Sequence, residues 1–229
     1  MIIPESGGFA AIAIAAFLLG FPALFAIINP IGAALIFDSI AKNFSPADRT
    51  KVSGLVGFYS LLVMFGALWC GASVLSFFGV SLEALRIAGG LVVTISAWGL
   101  LTSDDHRDDR ESRDARPDSR LDPSQMAFFP LTLPFTTGPG TIAVAITLGA
   151  ARPEGSAGLL PFFLGASLAA ALNAAIVWLA YRFSDRVTNW MGPAARMAVA
   201  RLSAFLLVCI GTQILISAIG DLVLKWRSL

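Results

Sequence analysis

The sequence predicts an all-α, polytopic membrane protein with six transmembrane helices, arranged as two inverted three-helix repeats with discontinuous first and fourth helices. Three observations predict this class. Charged residues make up only 14% of the 229 residues, against roughly 25% in soluble domains. The charges are clustered, and the stretches between the clusters can cross a bilayer, which takes about 20 apolar residues in a helix. Prolines and glycines interrupt two of these stretches near their centres.

The uncharged stretches define six predicted spans, and the flanking charges define their ends. The first, second and fourth spans are longer than a plain crossing requires, and helix tilt or a break in the helix can absorb the excess. The predicted spans are Ala10–Phe37, Gly54–Phe78, Leu85–Leu101, Met126–Ala150, Leu159–Arg182 and Leu202–Leu222.

The charged loop at residues 103–122 separates the two predicted halves, residues 1–102 and 123–229. It is mixed in charge and nearly free of apolar residues, which is typical of a solvated linker. A regulatory or partner-docking segment is the alternative. His106, the single histidine, lies in this loop, and a metal site needs several convergent ligands, so we expect no metal there.

Lysine and arginine residues indicate how the chain is oriented in the membrane. With six crossings, both termini lie on one side and the three loops that hold most of the Lys and Arg lie on the other. By the positive-inside rule these loops, including the charged one, are expected to be cytoplasmic and both termini outside.

The two predicted halves echo each other in sequence. Arg86 begins the third span and Arg201 begins the sixth, and a similar small and apolar pattern follows each. The offset in residue number between Pro30 of the first span and Pro139 of the fourth is nearly the same as the offset between these two arginines. Three spans per half place the halves in opposite orientations, as in many secondary transporters. Chance similarity of two apolar sequences is the alternative.

Proline and glycine are expected to break the first span at Asn29–Gly32 and the fourth at Pro130, Pro134 and Phe135–Gly140. A proline inside a helix removes a hydrogen bond and clashes with the preceding turn, at a cost of about 3 kcal/mol or more. In hydrocarbon no water satisfies the freed groups, so such a stretch must be buried in protein or line an aqueous cavity. A structural kink that binds nothing is the alternative for each.

A broken helix offers free N–H groups and free carbonyls at membrane depth. Donors are expected near Gly32–Leu35 and Gly140–Ala143, where they can hold an anion, and carbonyl acceptors near Ala26–Ile28 and Leu133–Thr136. Two adjacent breaks can therefore bind both charges of a zwitterion. The predicted substrate-binding residues are Asn29, Pro30, Gly32, Thr136, Thr137, Gly138, Gly140 and Thr141.

Other polar residues of the spans point to no catalytic site. No Asp or Glu lies near the centre of a predicted span, and no paired Asp, zinc motif or Ser/His arrangement lies within one, so we expect neither an enzyme nor a visible proton relay. Arg86 is expected to extend to the interface or to pair with a carboxylate such as Glu83. Cys70 and Cys209 are expected to be packing residues and not a disulfide pair.

As a set, these motifs resemble the MarC family, which includes the SnatA small neutral amino acid transporters. The resemblance implies a bacterial inner-membrane protein with six helices in inverted halves. It also implies transport of small neutral amino acids such as alanine and glycine by an exporter or exchanger. The matching segments are Phe25–Gly32, Arg86–Gly90, Pro130–Pro134, Gly138–Ile142 and Arg201–Leu202.

A secondary transporter is the leading expectation for function. Gly, Ala and Thr around the breaks leave room for a small solute and do not supply the broad apolar cavity that a large drug prefers. An efflux protein or a channel for another small solute is the alternative, and an adaptor acting through the charged loop is a further one. The expected partners are an amino acid and the lipid bilayer, with a homo-oligomer left open. No nucleic acid, cofactor or metal is expected.

Overall fold

The computed structural model describes residues 8–102, 123–153 and 156–227. All regular elements within these ranges are helical, as predicted. An irregular segment, Ala127–Thr136, lies between the helices Pro123–Met126 and Pro139–Ala150. The charged linker and His106 lie outside the described residues. The helices are α1 Phe9–Ile28, α2 Pro30–Ile40, α3 Pro46–Phe77, α4 Leu82–Thr102, α5 Pro123–Met126, α6 Pro139–Ala150, α7 Ser156–Arg182, α8 Ser184–Trp190 and α9 Pro193–Arg227.

Five helical stretches in the described ranges are long and apolar enough to cross a membrane, and a bent pair brings the number to six if it counts as one span. The first stretch is Phe9–Ile40, which contains α1 and α2. The bent pair, Ser124–Thr136 with Pro139–Ala150, turns by 70° at the predicted fourth span. The prediction of a multi-pass helical membrane protein is therefore confirmed, with five to six spans.

Several helices extend beyond their predicted spans. α3 begins at Pro46 and not at Gly54, because Ser45 caps it: Ser45 Oγ accepts a hydrogen bond from the Asp48 N–H at 3.1 Å. Pro46 occupies the first turn, where a missing N–H breaks no helical bond. Charge limits how far a helix enters hydrocarbon, but it does not end the helix, so flanking charges mark membrane depth better than helix bounds.

The helices pack through small residues. The most extensive contacts join α4 to α9 and α1 to α7, and α3 packs on both α6 and α7. At the α4–α9 crossing a Cβ added to Gly90 would lie 3.0 Å from the Gly211 carbonyl oxygen. Gly165 of α7 lies directly against the Ala13 carbonyl of α1. Such close approach supplies the van der Waals contact that holds helices together in lipid.

The core surrounds the two predicted breaks, and the outer faces are apolar. Buried side chains include Leu24, Phe37 and Leu131, while Ile95 of α4 is 68% exposed, as expected of a surface that meets lipid. Cys70 and Cys209 are free thiols, as predicted. The expectation that they are packing residues is wrong, because both are exposed on the outer faces of α3 and α9.

Candidate functional site

The first break is a single residue, Asn29, between α1 and α2. Asn29 adopts the left-handed conformation, with φ 47° and ψ 68°, which asparagine tolerates better than most residues. Its N–H still donates to the Phe25 carbonyl at 3.0 Å. Pro30, which follows, has no N–H, so the Ala26 carbonyl receives no bond from it. One helix thus ends and the next begins within one residue.

The Asn29 side chain occupies part of the anion-binding end that the sequence predicts for α2. Its Oδ1 accepts from the Gly32 N–H at 3.3 Å, and the Ala33 N–H donates to the Asn29 carbonyl at 3.0 Å. A Cβ on Gly32 would lie 2.5 Å from Asn29 Nδ2, so the amide folds directly over this glycine. Nδ2 has no hydrogen-bond partner among the described residues, so the first break can offer it as a donor to a solute.

The second break is longer and contains two prolines. Phe129 and Leu133 have extended backbone, with φ −127° and ψ 125° and with φ −113° and ψ 121°. Each precedes a proline, Pro130 and Pro134, through a cis peptide bond. Neither proline has an N–H, so an unbroken helical ladder cannot form here.

Threonine hydroxyls replace backbone donors in the second break. Thr132 Oγ1 donates to the Ala127 carbonyl at 2.6 Å, Thr136 Oγ1 to the Leu131 carbonyl at 2.7 Å, and Thr137 Oγ1 to the Thr132 carbonyl at 3.1 Å. All three threonines are 2% exposed or less. The predicted site residues Thr136 and Thr137 therefore hold the broken backbone together, a role that their sequence positions alone do not reveal.

The N-terminus of α6 is not capped. Gly138 is the N-cap residue, Pro139 occupies the first turn, and no side chain in the described part of the chain caps the helix. The Ile142 N–H bonds to the Gly138 carbonyl at 3.1 Å, so the N–H groups of Gly140 and Thr141 have no partner within the helix. Thr141 is 3% exposed. No side chain of the described residues covers the backbone N–H donors at this end of α6, whereas Asn29 covers part of the corresponding donors at the start of α2.

The two breaks lie beside each other. A Cβ built on Gly140 would collide with Val93 of α4 and lie 3.1 Å from Cδ1 of Ile27 in α1, two residues before Asn29. A Cβ on Gly138 would lie 2.7 Å from the Pro134 carbonyl oxygen. Both glycines thus permit close approach of protein to protein, and the start of α6 lies beside the end of α1.

Tyr181 connects the second break to α2, and the sequence reasoning missed it. Its hydroxyl lies 2.6 Å from Thr136 Oγ1, and its ring stacks on Phe37 of α2 with centroids 4.6 Å apart. Tyr181 is 1% exposed. A tyrosine near the polar end of an apolar span was the available signal, because a buried tyrosine hydroxyl needs a hydrogen-bond partner.

A cleft begins about one helical turn from the contact between the breaks. Its volume is about 220 Å³. Thr147 lies along its α6 wall, and Arg86 of α4 lies at its polar end. The lining residues are Ala23, Ala143, Val144, Ile214, Arg86, Thr147, Gln213 and Ser217.

Arg86 pairs across the bundle with α9. Its Nη1 donates to Asp221 Oδ2 at 2.8 Å, and its Nε lies 3.4 Å from Thr147 Oγ1. Pairing with a carboxylate, one of the alternatives from the sequence, is therefore confirmed, but the partner is Asp221 and not Glu83, whose Oε1 lies 3.7 Å from Lys225 Nζ. The packing of α9 on α4 brings Asp221 and Lys225 opposite the start of α4. Asp221 pairs with Arg86, and Lys225 pairs with Glu83.

Comparison with known proteins gives the family. A family model described as MarC family integral membrane protein matches residues 14–223. The chain belongs to the MarC family. A protein of Escherichia coli K12 described as UPF0056 inner membrane protein MarC is 32% identical over 208 residues, which cover 90% of this chain and 94% of the relative. The protein of the same description from Escherichia coli O1:K1 gives the same values. No solved structure matches the chain.

The match confirms the family that the motifs suggest. The region shared with the MarC family, residues 14–223, contains both breaks, Tyr181, and the Arg86–Asp221 pair. The candidate site and its cleft therefore belong to the MarC-family part of the chain.

Proposed function

We propose that this MarC-family protein is a secondary transporter, an exporter or exchanger, of small neutral amino acids such as alanine and glycine. The observation that carries the proposal is the contact between the breaks, with Gly140 of α6 packed on Ile27 of α1. It brings the start of one half-helix beside the end of another at membrane depth. The proposed binding residues are those predicted from the sequence: Asn29, Pro30, Gly32, Thr136, Thr137, Gly138, Gly140 and Thr141.

In the second break, the N-terminus of α6 supplies the partial positive charge that binds the carboxylate. The uncapped N–H groups of Gly140 and Thr141 point out of the first turn of α6, where the helix dipole favours an anion. The ammonium group is placed at the end of α1, where the Ala26 carbonyl lacks the bond that Pro30 cannot donate. Val93 and Ile27 crowd Gly140, which favours a solute with a small side chain.

Helix packing supports two inverted halves. In such an arrangement, helices at the same position of each half meet at the symmetry axis, as α4 meets α9 and α3 meets α7. The contact of α1 with α7 then has its counterpart in the contact of α6 with α3. Rocking of one half against the other around a fixed site provides alternating access. No enzymatic activity, cofactor or metal is part of the proposal.

The location follows the relatives. The Escherichia coli proteins are described as inner membrane proteins, and we place this chain in the inner membrane as well. The charged loop is assigned to the cytoplasm and both termini to the periplasm, because the loops on one side hold most of the lysine and arginine residues.

Counter-exchange in liposomes tests the function. Purified protein is expected to exchange labelled alanine or glycine saturably. Thr141→Val removes the side-chain hydroxyl, which we propose as a further donor to the carboxylate, with little change of shape, and should raise the half-saturating concentration roughly tenfold, the equivalent of about 1.4 kcal/mol. Thr212→Val is the matched control, because the Thr212 hydroxyl on α9 is exposed and donates only to Val208 at 2.8 Å. Flux that does not saturate would favour a channel, and no flux of either solute would exclude the proposed substrates.

A further inference from the structure

An ion pair lies beside the cleft: Arg86 lines the cleft, and its partner Asp221 lies next to Arg86 outside the lining. Arg86 Nη1 and Asp221 Oδ2 are 2.8 Å apart, and Arg86 Nε lies 3.4 Å from Thr147 Oγ1. The Arg86 and Asp221 side chains are 25% and 53% exposed. The contacts therefore tie α4, α6 and α9 together, and both charged side chains remain partly exposed.

The cleft lies between the region of the breaks and Arg86, and none of the break residues lines it. Ala23 and Ala143 line its apolar part, one helical turn from Ile27 and Gly140 respectively. Thr147 lies a further turn along α6, beside Arg86. The volume of about 220 Å³ is below the roughly 300–1,000 Å³ of pockets that hold drug-sized ligands. The lining surface is mostly apolar, with Arg86 and Thr147 at one end, and the size fits a small solute.

We propose that the Arg86–Asp221 pair is an outer subsite for a zwitterionic α-amino acid, whose carboxylate pairs with Arg86 and whose ammonium group pairs with Asp221. This inference rests on the proposed transport function and adds a binding step at the outer end of the cleft. A zwitterion carries both charges of the ion pair, so it can replace each residue's partner at once. A solute with a single charge leaves one of the two residues unpaired.

The energetics favour such an exchange of partners. Exposed ion pairs contribute little to stability, so Arg86 and Asp221 separate at low cost. The planar guanidinium binds a carboxylate through two parallel hydrogen bonds, which an asymmetric contact with one Asp221 oxygen does not use fully. Thr147 holds the guanidinium beside α6. The solute's side chain then faces Ala143 and Val144, which accommodate a hydrogen or a methyl group.

The neighbouring pair of Lys225 and Glu83 provides a matched control. It joins the same two helices, with Nζ and Oε1 3.7 Å apart, and neither residue lines the cleft. Its removal changes the charge and the α4–α9 contact in a similar way, without altering the proposed subsite.

Binding of alanine and propionate to the purified full-length protein tests the subsite, with calorimetry as the readout. Asp221→Asn should weaken alanine binding and strengthen propionate binding roughly tenfold, because Arg86 then lacks its internal partner. Arg86→Gln should weaken alanine binding roughly tenfold, and adding it to Asp221→Asn should abolish the gain for propionate. Glu83→Gln should change neither affinity. Each variant must melt within a few degrees of the wild type. Arg86→Lys keeps the positive charge but loses the two parallel hydrogen bonds of the guanidinium, and it should bind alanine with an intermediate affinity.

Two results would overturn the subsite: Asp221→Asn binds propionate no better than the wild type, or Arg86→Gln binds alanine as the wild type does. Liposome exchange separates this inference from the transport function. If the wild type exchanges alanine and Arg86→Gln exchanges it with the same half-saturating concentration, the subsite is contradicted and the transport function is not. A wild type that binds alanine with the expected dependence on Arg86 and Asp221, yet exchanges none, supports the subsite and contradicts the transport function.

Discussion

At the residue scale, Asn29 performs two tasks that few side chains combine. It takes the left-handed backbone that ends α1, and its Oδ1 caps α2 through the Gly32 N–H at 3.3 Å. The left-handed region costs most L-residues roughly 1–2 kcal/mol, and asparagine less. The cap contributes about 1 kcal/mol in typical helices. An Asn-Pro sequence therefore permits a helix to stop and restart without a loop.

Substitution of Asn29 separates these two tasks. Asn29→Gly keeps access to positive φ and, since glycine is itself a tolerated N-cap, should cost only a few tenths of a kcal/mol. Asn29→Ala loses both the cap and the backbone freedom and should cost about 2 kcal/mol. Thermal melting in detergent measures the difference. Equal melting temperatures for the two variants would argue against the left-handed conformation.

Tyr181 offers a second test at this scale. Tyr181→Phe removes the hydroxyl 2.6 Å from Thr136 Oγ1 and keeps the stack on Phe37. The expected loss is about 1 kcal/mol of stability, because Thr136 retains its bond to Leu131. Tyr59→Phe on α3 is the matched control, since Tyr59 makes an edge-on contact with Phe128 that the ring alone provides. If both variants melt alike, the Tyr181 hydroxyl does not stabilise the second break.

At the element scale, the sequence predicts the breaks well and the contacts around them poorly. Pro30 and Pro139 mark both interruptions because the missing N–H is a local property of the residue. The hydroxyl bonds of Thr136 and Thr137 depend on where neighbouring carbonyls turn, which no spacing reveals. Arg86 shows the same limit: its partner Asp221 comes from another helix, and its selection depends on how α4 and α9 pack.

Helix contacts give a prediction at this scale. A Cβ on Gly149 of α6 would meet the Leu68 carbonyl of α3 head-on, whereas Gly66 of α3 has nothing within 4 Å. Gly149→Ala should destabilise the protein by about 1–3 kcal/mol, because the two helices must move apart. Gly66→Ala should be neutral or stabilising by about 0.5–1 kcal/mol. Denaturation in detergent checks both, and a harmless Gly149→Ala would contradict the close α3–α6 contact.

At the scale of the whole molecule, this MarC-family chain packs its two breaks beside each other, and a cleft lined by Arg86 begins about one helical turn away. Clustered charges predict the number of spans, because charge is costly in hydrocarbon. They predict helix ends less well, as the start of α3 at Pro46 shows. The relation between the halves rests on weak sequence similarity, so it stands as a proposal supported by the packing pattern.

Orientation is testable on the intact molecule. In a background with Cys70 and Cys209 replaced by alanine, Lys42→Cys should react with an impermeant thiol reagent only after the cells are permeabilised. Ser81→Cys, at the opposite end of α3, should react in intact cells, because the positive-inside rule places Lys42 in the cytoplasm. The reverse labelling pattern would show that the termini are cytoplasmic.

A structure of the protein with bound alanine tests most directly whether the two breaks form the substrate site. A site at the breaks predicts an amino-acid-sized feature between Asn29 and α6, with its carboxylate within hydrogen-bonding distance of the Gly140 and Thr141 N–H groups. Alanine bound elsewhere in the protein, with both breaks closed around groups of the protein itself, would contradict it.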